Sequence, residues 1–419
     1  MTTFTVTGGR PLRGRIRVPG DKSISHRTLI LAGLAEGTSV VRGLSTGDDV
    51  TRTRMAMEAM GVMFEGEKIT GGRSRLREPD DVLDLGNSGT GVRLLAGVCA
   101  GLPWLTVLTG DSSIRRRPMS RVAEPLRLMG AQVDGRDGGR LPPLTVRGGS
   151  LHGVDYDLPV PSAQVKSGVL LAGLSAEGDT AVRQPVVTRA HTEEMLAACG
   201  ADVEVSADGL VVRLRPPAAL QPFELDVPGD PSQAAFWVVA ACIVPGSDVV
   251  VDDVYTGPAR TGFLDVLHRM GAQVEQVEER SLRARYSPDL HGTSVGEEEI
   301  AGLIDEIPVL AVAAAVAQGD TGFVDVRELR VKESDRVATI IDSLGALGAR
   351  VTHDGGGLTI KGGKSLHGAH VHSHGDHRIA MAMAVAGLAA DGTTEIDGWE
   401  AVATSYPGFD QDLERLCAS

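Results

Sequence analysis

Residues 19–27 read Pro-Gly-Asp-Lys-Ser-Ile-Ser-His-Arg, and an apolar segment follows directly. The Pro-Gly turn presents Lys22, Ser23 and Arg27, and an apolar helix is predicted at residues 28–35, with the two serines and the two cations at its opening. The free N–H groups and the positive dipole end of such a helix favour an anion. Residues 228–234 read Pro-Gly-Asp-Pro-Ser-Gln-Ala and also precede an apolar run, but they contain no lysine. The same opening therefore occurs twice, and only the first copy carries the cations.

A helix that ends in glycine and leads into a strand recurs five times along the chain. The glycines stand at positions 61, 130, 200, 271 and 348, each followed by alanine or valine. Glycine at this point accepts the left-handed conformation that ends a helix. Copies spaced by about 70 residues predict an internally repeated α/β architecture. A sixth copy is expected if the C-terminal helix, near residues 409–417, joins the N-terminal strand.

Six copies divide naturally into two groups of three. The two Pro-Gly-Asp segments then predict the points at which the chain crosses between the groups. We expect one domain at residues 20–229 and another formed by residues 1–19 together with residues 230–419. Two adjacent crossings predict a hinge, and the cleft between domains is the expected ligand site. A chain of 419 residues is long enough for two such cores.

The composition indicates a globular protein with aliphatic cores, since 42% of residues are hydrophobic and only 3% are aromatic. A net charge of −14 argues against nucleic acid or an anionic membrane as a partner, because the field repels both. No apolar run is long enough to span a membrane, and the N-terminus reads as a strand. We therefore expect a cytoplasmic protein. Its four cysteines form no CxxC pair, which predicts buried, reduced thiols.

Seven cationic side chains lie at turns between predicted elements, mostly at helix starts, in both halves of the chain. They are Lys22, Arg27, Arg117, Arg189, Lys332, Arg336 and Arg378. Their convergence would bind several negative charges of a small anionic ligand. Lys332 and Arg336 are four residues apart, which predicts that they share one face of a helix. Taken one motif at a time, ordinary helix capping and salt-bridged or solvated surface helices remain open as alternatives.

Other helix openings supply groups for hydroxyl binding and proton transfer. A glycine-rich turn contains Asn87 and Gly89 but matches no nucleotide-binding motif. Ser162 and Gln164 open another apolar helix. Asp305 precedes a third apolar helix, where its carboxylate could serve as a helix cap or as a general base. No activated serine or cysteine nucleophile is evident. The pattern therefore favours acid–base and electrostatic catalysis on a polyanionic small molecule.

A row of histidines near the C-terminus resembles a metal cluster superficially. His370, His372 and His374 would alternate onto one face of a strand, and His377 follows. Their spacing fits no standard site. We therefore expect no bound metal and no cofactor.

Seven motifs, in order along essentially the whole chain, resemble those of the 5-enolpyruvylshikimate-3-phosphate (EPSP) synthase family, also called 3-phosphoshikimate 1-carboxyvinyltransferases. They read PGDKSISHR, LGNSGTGVR, RRRPM, PSAQVKSGVLLAGL, IDEIP, RVKESDR and DHRIAMAMAV. The resemblance implies the enolpyruvyl transferase fold. In that α/β fold two similar domains, each of three βαβαββ repeats, form an inside-out α/β barrel and are joined by a two-strand hinge.

The same resemblance implies an enzyme of chorismate and aromatic amino acid biosynthesis. It would transfer the enolpyruvyl group of phosphoenolpyruvate to the 5-hydroxyl of shikimate 3-phosphate and release phosphate by addition and elimination. Its partners would be these two substrates, with no nucleic acid, membrane, metal or cofactor, and the protein is expected to be a monomer.

Matched motif by motif, the resemblance implies a role for each site residue. Shikimate 3-phosphate would contact Lys22, Ser23, Arg27, Ser162, Ala163, Gln164, Arg189, Asp305 and Lys332. Phosphoenolpyruvate would contact Lys22, Asn87, Gly89, Arg117, Gln164, Arg336 and Arg378, with Lys332 beside them. The catalytic residues would be Asp305, Glu333, Lys332 and Lys22. Asp305 would be the base at the 5-hydroxyl, and Glu333 and Lys332 are candidates for the proton transfers at C3. Residues 20–229 would mainly bind shikimate 3-phosphate, and the other domain would contribute phosphoenolpyruvate-binding and catalytic residues.

Two alternatives follow from the same motifs. The sibling enolpyruvyl transferase that acts on UDP-N-acetylglucosamine shares the fold but uses a cysteine on a mobile loop, and residues 111–118 contain no cysteine. A non-catalytic anion-binding protein on this fold is the second alternative. The presence of Asp305, Glu333 and Lys332 argues against it.

Overall fold

The computed structural model describes residues 2–363 and 365–418. In this part of the chain the α-helices are α1 Lys22–Leu34, α2 Asp48–Ala59, α3 Gly89–Ala100, α4 Ser120–Leu128, α5 Arg136–Gly139, α6 Ala163–Gly173, α7 His191–Ala198, α8 Pro231–Ile243, α9 Gly262–Arg269, α10 Glu297–Leu303, α11 Ile307–Val316, α12 Arg336–Ala346, α13 His377–Ala389 and α14 Phe409–Cys417. The 3-10 helices are Arg73–Arg75, Ile114–Arg116, Arg327–Val331 and Trp399–Thr404.

The strands are short, and they alternate with the helices along the chain. They are β1 Thr3–Thr7, β2 Arg13–Arg17, β3 Gly37–Arg42, β4 Met63–Glu65, β5 Lys68–Gly71, β6 Leu83–Asp84, β7 Leu105–Thr109, β8 Gln132–Gly135, β9 Leu141–Arg147, β10 Leu151–His152, β11 Asp155–Asp157, β12 Ala176–Glu177, β13 Thr180–Arg183, β14 Asp202–Val205, β15 Val211–Arg215, β16 Glu224–Asp226, β17 Asp248–Asp252, β18 Gln273–Glu278, β19 Ser281–Arg285, β20 Ser294–Val295, β21 Asp320–Phe323, β22 Arg350–Asp354, β23 Gly357–Lys361, β24 His370–His372 and β25 Thr393–Asp397. The architecture is mixed α/β.

The chain divides into two compact units. One, here called the split unit, consists of Met1–Pro19 with Pro228–Ser419, and the other, the continuous unit, is Gly20–Val227. Strand β2 pairs in parallel with β17 of the split unit, although α1, which follows it, belongs to the continuous unit. Strand β16 likewise pairs with β3 before the chain enters α8 of the split unit. Each Pro-Gly-Asp segment therefore ends a strand in one unit and begins a helix in the other.

Five four-stranded sheets share one strand pattern. Their orders are β16-β3-β5-β4, β6-β7-β9-β8 and β11-β13-β15-β14 in the continuous unit, and β2-β17-β19-β18 and β20-β21-β23-β22 in the split unit. In each sheet the first pair is parallel and the next two are antiparallel. The sheet β24-β25-β1 repeats this pattern with three strands, and β1 supplies the antiparallel partner. The predicted sixth copy, completed by the N-terminal strand, is confirmed.

The glycines that end the recurring helices adopt the predicted conformation. Their φ angles are 101°, 107°, 83°, 86° and 92° at positions 61, 130, 200, 271 and 348. This left-handed region is unfavourable for residues that carry a Cβ. The periodic glycines therefore mark real helix ends, and the repeat read from them is structural.

One helix in each repeat is buried almost on all sides, and these inner helices form the cores of the units. They are α1, α3 and α6 in the continuous unit and α8, α11 and α13 in the split unit. Helices such as α12 and α14 instead bury one face. A helix that is apolar all round belongs in a core. The motifs of Lys22, Gly89, Ser162, Asp305 and Arg378 thus lie at or next to the N-terminal ends of inner helices, whereas Arg117, Arg189 and Arg336 lie at or before the starts of outer helices.

Three local expectations were wrong. The first helix begins at Lys22 rather than at residue 28, because Asp21 caps it. Lys332 lies in extended backbone before α12, so it does not share a helical face with Arg336. His374 lies beyond β24 with φ of 53°, so the strand does not carry it. Among the described residues no helix is long and apolar enough to cross a membrane.

Candidate active site

The start of α1 places a lysine beside a buried carboxylate. Asp21 caps the helix by accepting the Ile24 N–H at 2.8 Å. Lys22 Nζ donates to Asp49 Oδ2 at 2.8 Å, and the lysine side chain is 13% exposed. Ser23 is half-buried on the same turn. The helix start therefore presents a fixed cation beside backbone N–H groups, an arrangement that suits an anion.

Arg27 connects α1 to α6 and α7. Its Nε donates to Thr192 Oγ1 at 2.6 Å, and its Nη2 donates to Ser167 Oγ at 2.6 Å. Arg27 also donates to the Ser23 carbonyl at 2.9 Å, and its side chain is buried. The guanidinium therefore fixes the relative positions of three helix starts.

A buried ion pair supports the same junction. Lys166 Nζ on α6 lies 2.5 Å from Glu193 Oε1 on α7, and both side chains are buried. Burial lowers the pKa of Lys166, although the neighbouring Glu193 opposes the shift. The pair holds the Ser162–Gln164 turn, at the start of α6, against the segment that carries Arg189. Arg189 and these three residues are all half-buried.

A second buried arginine joins three of the predicted ligand-binding segments. Arg93 donates to the Gly89 carbonyl at 3.1 Å, to Gln164 Oε1 at 2.9 Å and to the Pro118 carbonyl at 2.9 Å. The amide of Gln164 in turn donates to Thr90 Oγ1 at 2.9 Å. The amide orientation of Gln164 is thereby set, and its position is tied to α3.

The glycine-rich turn packs directly against Arg117. A Cβ placed on Gly89 would lie 2.7 Å from Arg117 Nη1 and 2.8 Å from its Cζ, so any larger residue must displace the guanidinium. Asn87 Nδ2 donates to Asp111 Oδ2 at 2.8 Å, while its buried Oδ1 has no hydrogen-bond partner among the described residues. Gly89, Arg117 and Asn87 therefore form one local group.

His26 is a buried residue of α1 that contacts Ser88, the residue between Asn87 and Gly89. Its Nδ1 is 2.8 Å from Thr53 Oγ1, and its Nε2 is 3.4 Å from Ser88 Oγ. Burial, reinforced by Lys22 and Arg27, lowers the pKa of His26 well below its ordinary value. The imidazole is therefore neutral, and the positive charge at this helix start comes from Lys22 and Arg27.

In the split unit, three cations surround Asp305 before α11. Its Oδ1 lies 3.5 Å from Lys332 Nζ, 3.3 Å from Arg336 Nη1 and 3.8 Å from Arg378 Nε. Arg378 Nη1 also donates to the Asp305 carbonyl at 3.1 Å. The carboxylate is 15% exposed. A carboxylate held among cations and still open to solvent can accept a proton from a ligand hydroxyl.

Arg336 is the buried centre of this charge cluster. Its Nε donates to Asp376 Oδ2 at 2.8 Å, and its Nη2 donates to Glu333 Oε2 at 2.6 Å. Burial alone would lower its pKa, but Asp376, Glu333 and Asp305 raise it instead. Burial opposes ionisation of Asp376 too, yet Arg336 holds the pKa of that carboxyl below its ordinary value. An anion that binds Arg336 would replace one of these carboxylate contacts.

A further network lies at the start of α8. Arg260 Nη2 donates to Asp230 Oδ1 at 2.6 Å, and its Nη1 donates to Ser232 Oγ at 3.1 Å. Ser232 also donates to Glu306, the residue that follows Asp305. All four side chains of this network are buried. The network anchors the turn on which Asp305 lies.

The structure thus gathers the predicted residues into two groups, one in each unit. The continuous unit holds Lys22, Ser23, Arg27, Asn87, Gly89, Arg117, Ser162, Ala163, Gln164 and Arg189 at the starts of inner helices or in adjoining turns. The split unit holds Asp305, Lys332, Glu333, Arg336 and Arg378.

The sequence did not reveal several residues that support the site. They are Asp49, Arg93, Lys166, Glu193, Arg260 and Asp376. Arg93 and Lys166 carried a usable signal, because each is a charge inside an otherwise apolar helical run. Such a charge requires a partner when the helix is buried. No local signal identified which residue that partner would be.

The cysteines are poor candidates for nucleophiles. Cys99, Cys199 and Cys242 are buried as predicted, whereas Cys417 is only partly buried. Burial raises the pKa of each of the three buried thiols to about 12. These thiols are therefore protonated and enclosed, which makes them unreactive as nucleophiles.

Comparison with known proteins gives a consistent result. Residues 6–413 match the family described as EPSP synthase (3-phosphoshikimate 1-carboxyvinyltransferase). A 3-phosphoshikimate 1-carboxyvinyltransferase of Herpetosiphon aurantiacus is 50% identical over 98% of this chain and 99% of its own. One of Gloeobacter violaceus is 51% identical over 99% of this chain and 98% of its own.

Solved structures show the same likeness. EPSP synthase from Acinetobacter baumannii matches with a TM-score of 0.86 and 42% identity, covering 99% of this chain and 98% of that one. The enolpyruvyl transferase NikO from Streptomyces tendae matches with a TM-score of 0.78 at 20% identity, covering 98% of this chain and 96% of that one. The second match supports the fold alone.

Proposed function

This chain belongs to the EPSP synthase family, and we propose from that premise that it transfers the enolpyruvyl group of phosphoenolpyruvate to the 5-hydroxyl of shikimate 3-phosphate. Relatives of about half-identical sequence over nearly the whole chain carry this activity in their names, which favours it over transfer to UDP-N-acetylglucosamine. The products are 5-enolpyruvylshikimate 3-phosphate and inorganic phosphate.

We assign shikimate 3-phosphate to the helix starts that Arg27 joins in the continuous unit. Lys22, Ser23 and Arg27 lie on α1, and the Ser162–Gln164 turn and Arg189 lie where α6 and α7 begin. Helix N-termini and cations bind phosphate and carboxylate, while serine and glutamine suit ring hydroxyls. The Arg27 and Lys166–Glu193 contacts support this assignment, because they hold those segments in one arrangement.

We assign phosphoenolpyruvate to the remaining cations. Asn87, Gly89 and Arg117 form one local group, and Lys332, Arg336 and Arg378 surround Asp305. A substrate that carries a phosphate and a carboxylate needs several positive charges, which these groups supply. Lys22 and Gln164 are assigned to both substrates.

The proposed chemistry is addition followed by elimination. Asp305 takes the proton of the 5-hydroxyl as its oxygen attacks C2 of phosphoenolpyruvate, and C3 gains a proton from Lys332 or Glu333. The tetrahedral intermediate then loses phosphate and a proton from the former C3, which restores the double bond. Arginines beside the departing phosphate stabilise its growing charge. The observation that carries this proposal is the Asp305 carboxylate within 3.3–3.8 Å of three cations.

Phosphate release tests the proposed function directly. Purified protein with shikimate 3-phosphate and phosphoenolpyruvate is expected to release inorganic phosphate continuously, and omission of either substrate should abolish the signal. Release with UDP-N-acetylglucosamine but not with shikimate 3-phosphate would reverse the choice of acceptor. Tight binding of both ligands without turnover would indicate a binding protein instead.

Replacement of the proposed base separates chemistry from binding. Asp305→Asn removes the proton acceptor at nearly constant shape, so kcat is expected to fall by about 100- to 10,000-fold while both substrates still bind. Calorimetry on the variant measures the binding, and the phosphate assay measures kcat. Glu395→Gln, an exposed change in the same unit, is the control and is expected to retain activity. Normal turnover by Asp305→Asn would remove this residue from the mechanism.

The oligomeric state and location complete the proposal. We propose that the protein acts as a monomer in the cytoplasm, because its acidic surface favours solubility and its two units carry all residues assigned above. Light scattering coupled to size-exclusion chromatography should give the mass of one chain, 43.8 kDa. A stable dimer at micromolar concentration would overturn this part.

A further inference from the structure

Strand β24 carries two histidines on one exposed face at the edge of a sheet. The sheet order is β1-β25-β24, and β24 pairs in parallel with β25. His370 and His372 are two residues apart, so their side chains point the same way. They are 53% and 54% exposed, which leaves both imidazoles open to solvent. Both residues lie outside the groups assigned to the substrates.

The parallel register brings a carboxylate to these histidines. His372 pairs with Asp397, the last residue of β25. Asp397 Oδ2 lies 2.9 Å from His370 Nε2 and 3.5 Å from His372 Nδ1. The three ligand atoms all lie within 4.8 Å of one another, and the described residues contain no other such group of histidine, cysteine or acidic side chains.

A hydroxyl on the third strand orients this carboxylate. Thr3 Oγ1 donates to Asp397 Oδ1 at 2.6 Å. Oδ1 is therefore occupied on the β1 side, and Oδ2 faces the imidazoles. Hydrogen bonds of this kind to a liganding carboxylate are typical of metal sites, where they fix the ligand's orientation.

The spacing of the histidines along the chain led us to expect no metal, but the strand register adds a carboxylate that the spacing does not show. We therefore propose that His370, His372 and Asp397 form a binding site for a divalent transition-metal ion of the zinc class. Tetrahedral zinc bonds of 2.0–2.1 Å place ligand atoms about 3.3 Å apart, close to the separations of 2.9 and 3.5 Å found here. Imidazole nitrogen with one carboxylate favours Zn²⁺, Cu²⁺, Ni²⁺ or Co²⁺ over Mg²⁺ and Ca²⁺, which prefer oxygen ligands. Water completes the coordination, because the face is exposed.

Occupation of the site would link three strands, of which β1 lies at the opposite end of the chain from β24 and β25. The ion would link β24 to β25, and Thr3 extends the link to the N-terminal strand β1. A ligand that binds only the folded state stabilises it in proportion to the logarithm of its concentration over Kd. The site is therefore a structural clamp for the split unit. Turnover without metal should not depend on it.

Metal titration of the untagged protein tests the proposal, since a histidine tag would bind the same ions. After removal of metal with a chelator, calorimetric titration with Zn²⁺ is expected to show one saturable site. His372→Gln and Asp397→Asn should each raise Kd by at least about tenfold, and Thr3→Val should raise it by about tenfold. His367→Gln removes an exposed histidine just outside the cluster and should leave Kd unchanged.

Two further measurements exclude nonspecific binding of the metal elsewhere on the protein. Zn²⁺ should raise the midpoint of thermal unfolding of the wild-type protein but not that of His372→Gln, and the two midpoints should agree in the presence of chelator. Co²⁺ should give the visible absorption of a four-coordinate nitrogen and oxygen site. The proposal is overturned by absence of saturable binding, by equal affinity in His372→Gln, or by equally tight binding of Mg²⁺.

Discussion

The two Pro-Gly-Asp segments form similar helix starts, each capped by an aspartate, but the side chains that follow differ. Asp21 accepts the Ile24 N–H at 2.8 Å at the start of α1, and Asp230 accepts the Ser232 N–H at 2.8 Å at the start of α8. Both helices are inner helices of their units. The backbone device is therefore repeated, as the sequence predicts.

The side chains that follow the two caps differ in charge. Lys22, His26 and Arg27 of the first segment correspond to Pro231, Ala235 and Phe236 of the second. At α8, the buried Arg260 lies against Asp230 and Ser232 and neutralises the cap from within the unit. At α1, the cations come from the helix itself, and Lys22 remains partly exposed. The start of α1 is thus suited to a ligand, whereas the start of α8 is suited to hold the turn that carries Asp305.

The largest expected effect concerns the stability of the second start. Arg260→Met would leave Asp230 and Glu306 as buried acids without their cation, so the free energy of unfolding should fall by about 3–5 kcal/mol. Urea titration measures the loss. Arg269→Met breaks an exposed ion pair with Glu299 on the same unit and should cost less than about 1 kcal/mol. Equal losses in the two variants would mean that Arg260 is not a buried anchor.

The free energy of unfolding should depend on pH through His26, which lies in α1. The pKa of His26 is lowered by burial, so the folded protein keeps it neutral while the unfolded chain binds a proton near pH 6.5. The unfolded state therefore gains protons as pH falls below about 6.5, and the free energy of unfolding falls by up to about 1.4 kcal/mol per pH unit. Above that pH this contribution is fully present.

Urea titrations between pH 7.5 and about 5 measure this slope. His26→Gln should flatten it, whereas His152→Gln, at an exposed histidine of the same unit, should not. An unchanged slope in His26→Gln would show that folding does not lower the pKa of His26.

The smallest expected effect concerns Gly89, which packs against Arg117. Gly89→Ala would place a methyl group 2.7 Å from Arg117 Nη1 and push the guanidinium aside. The KM for phosphoenolpyruvate should rise by about tenfold, the effect of losing about 1.4 kcal/mol of binding, while the KM for shikimate 3-phosphate stays within about twofold. Gly345→Ala, where a methyl group meets nothing within 4 Å, is the matched control. Equal changes in both KM values would argue against a specific role for Arg117.

Features of the fold and the site could be predicted from the sequence where they depend on neighbouring residues. The glycines at helix ends and the apolar runs were visible because each depends on a few adjacent residues, and the repeat that forms six similar sheets follows from them. The partners of Arg93 and Lys166 were not visible, since Gln164 and Glu193 reach them only through tertiary packing. The same holds for Asp397, which the strand register brings to His372.

Lys332 shows where a local rule misled. Its spacing of four from Arg336 predicted a shared helical face, but α12 begins only at Arg336, where Asp335 caps it. Both cations nevertheless reach Asp305, because the extended backbone before the helix directs Lys332 toward it. Lys332 and Arg336 therefore lie close together, but the prediction that Lys332 is part of the helix was wrong.

The difference between the two helix starts is tested most directly by steady-state phosphate release from Lys22→Met and Pro231→Ala. Lys22→Met should lower kcat/KM for the two substrates by about 100- to 1,000-fold, because a charged donor that contacts them is lost. Pro231→Ala should stay within about twofold of the wild type. Thermal unfolding of both variants confirms that they are folded. Wild-type activity in Lys22→Met, or an equal loss in Pro231→Ala, would contradict the account.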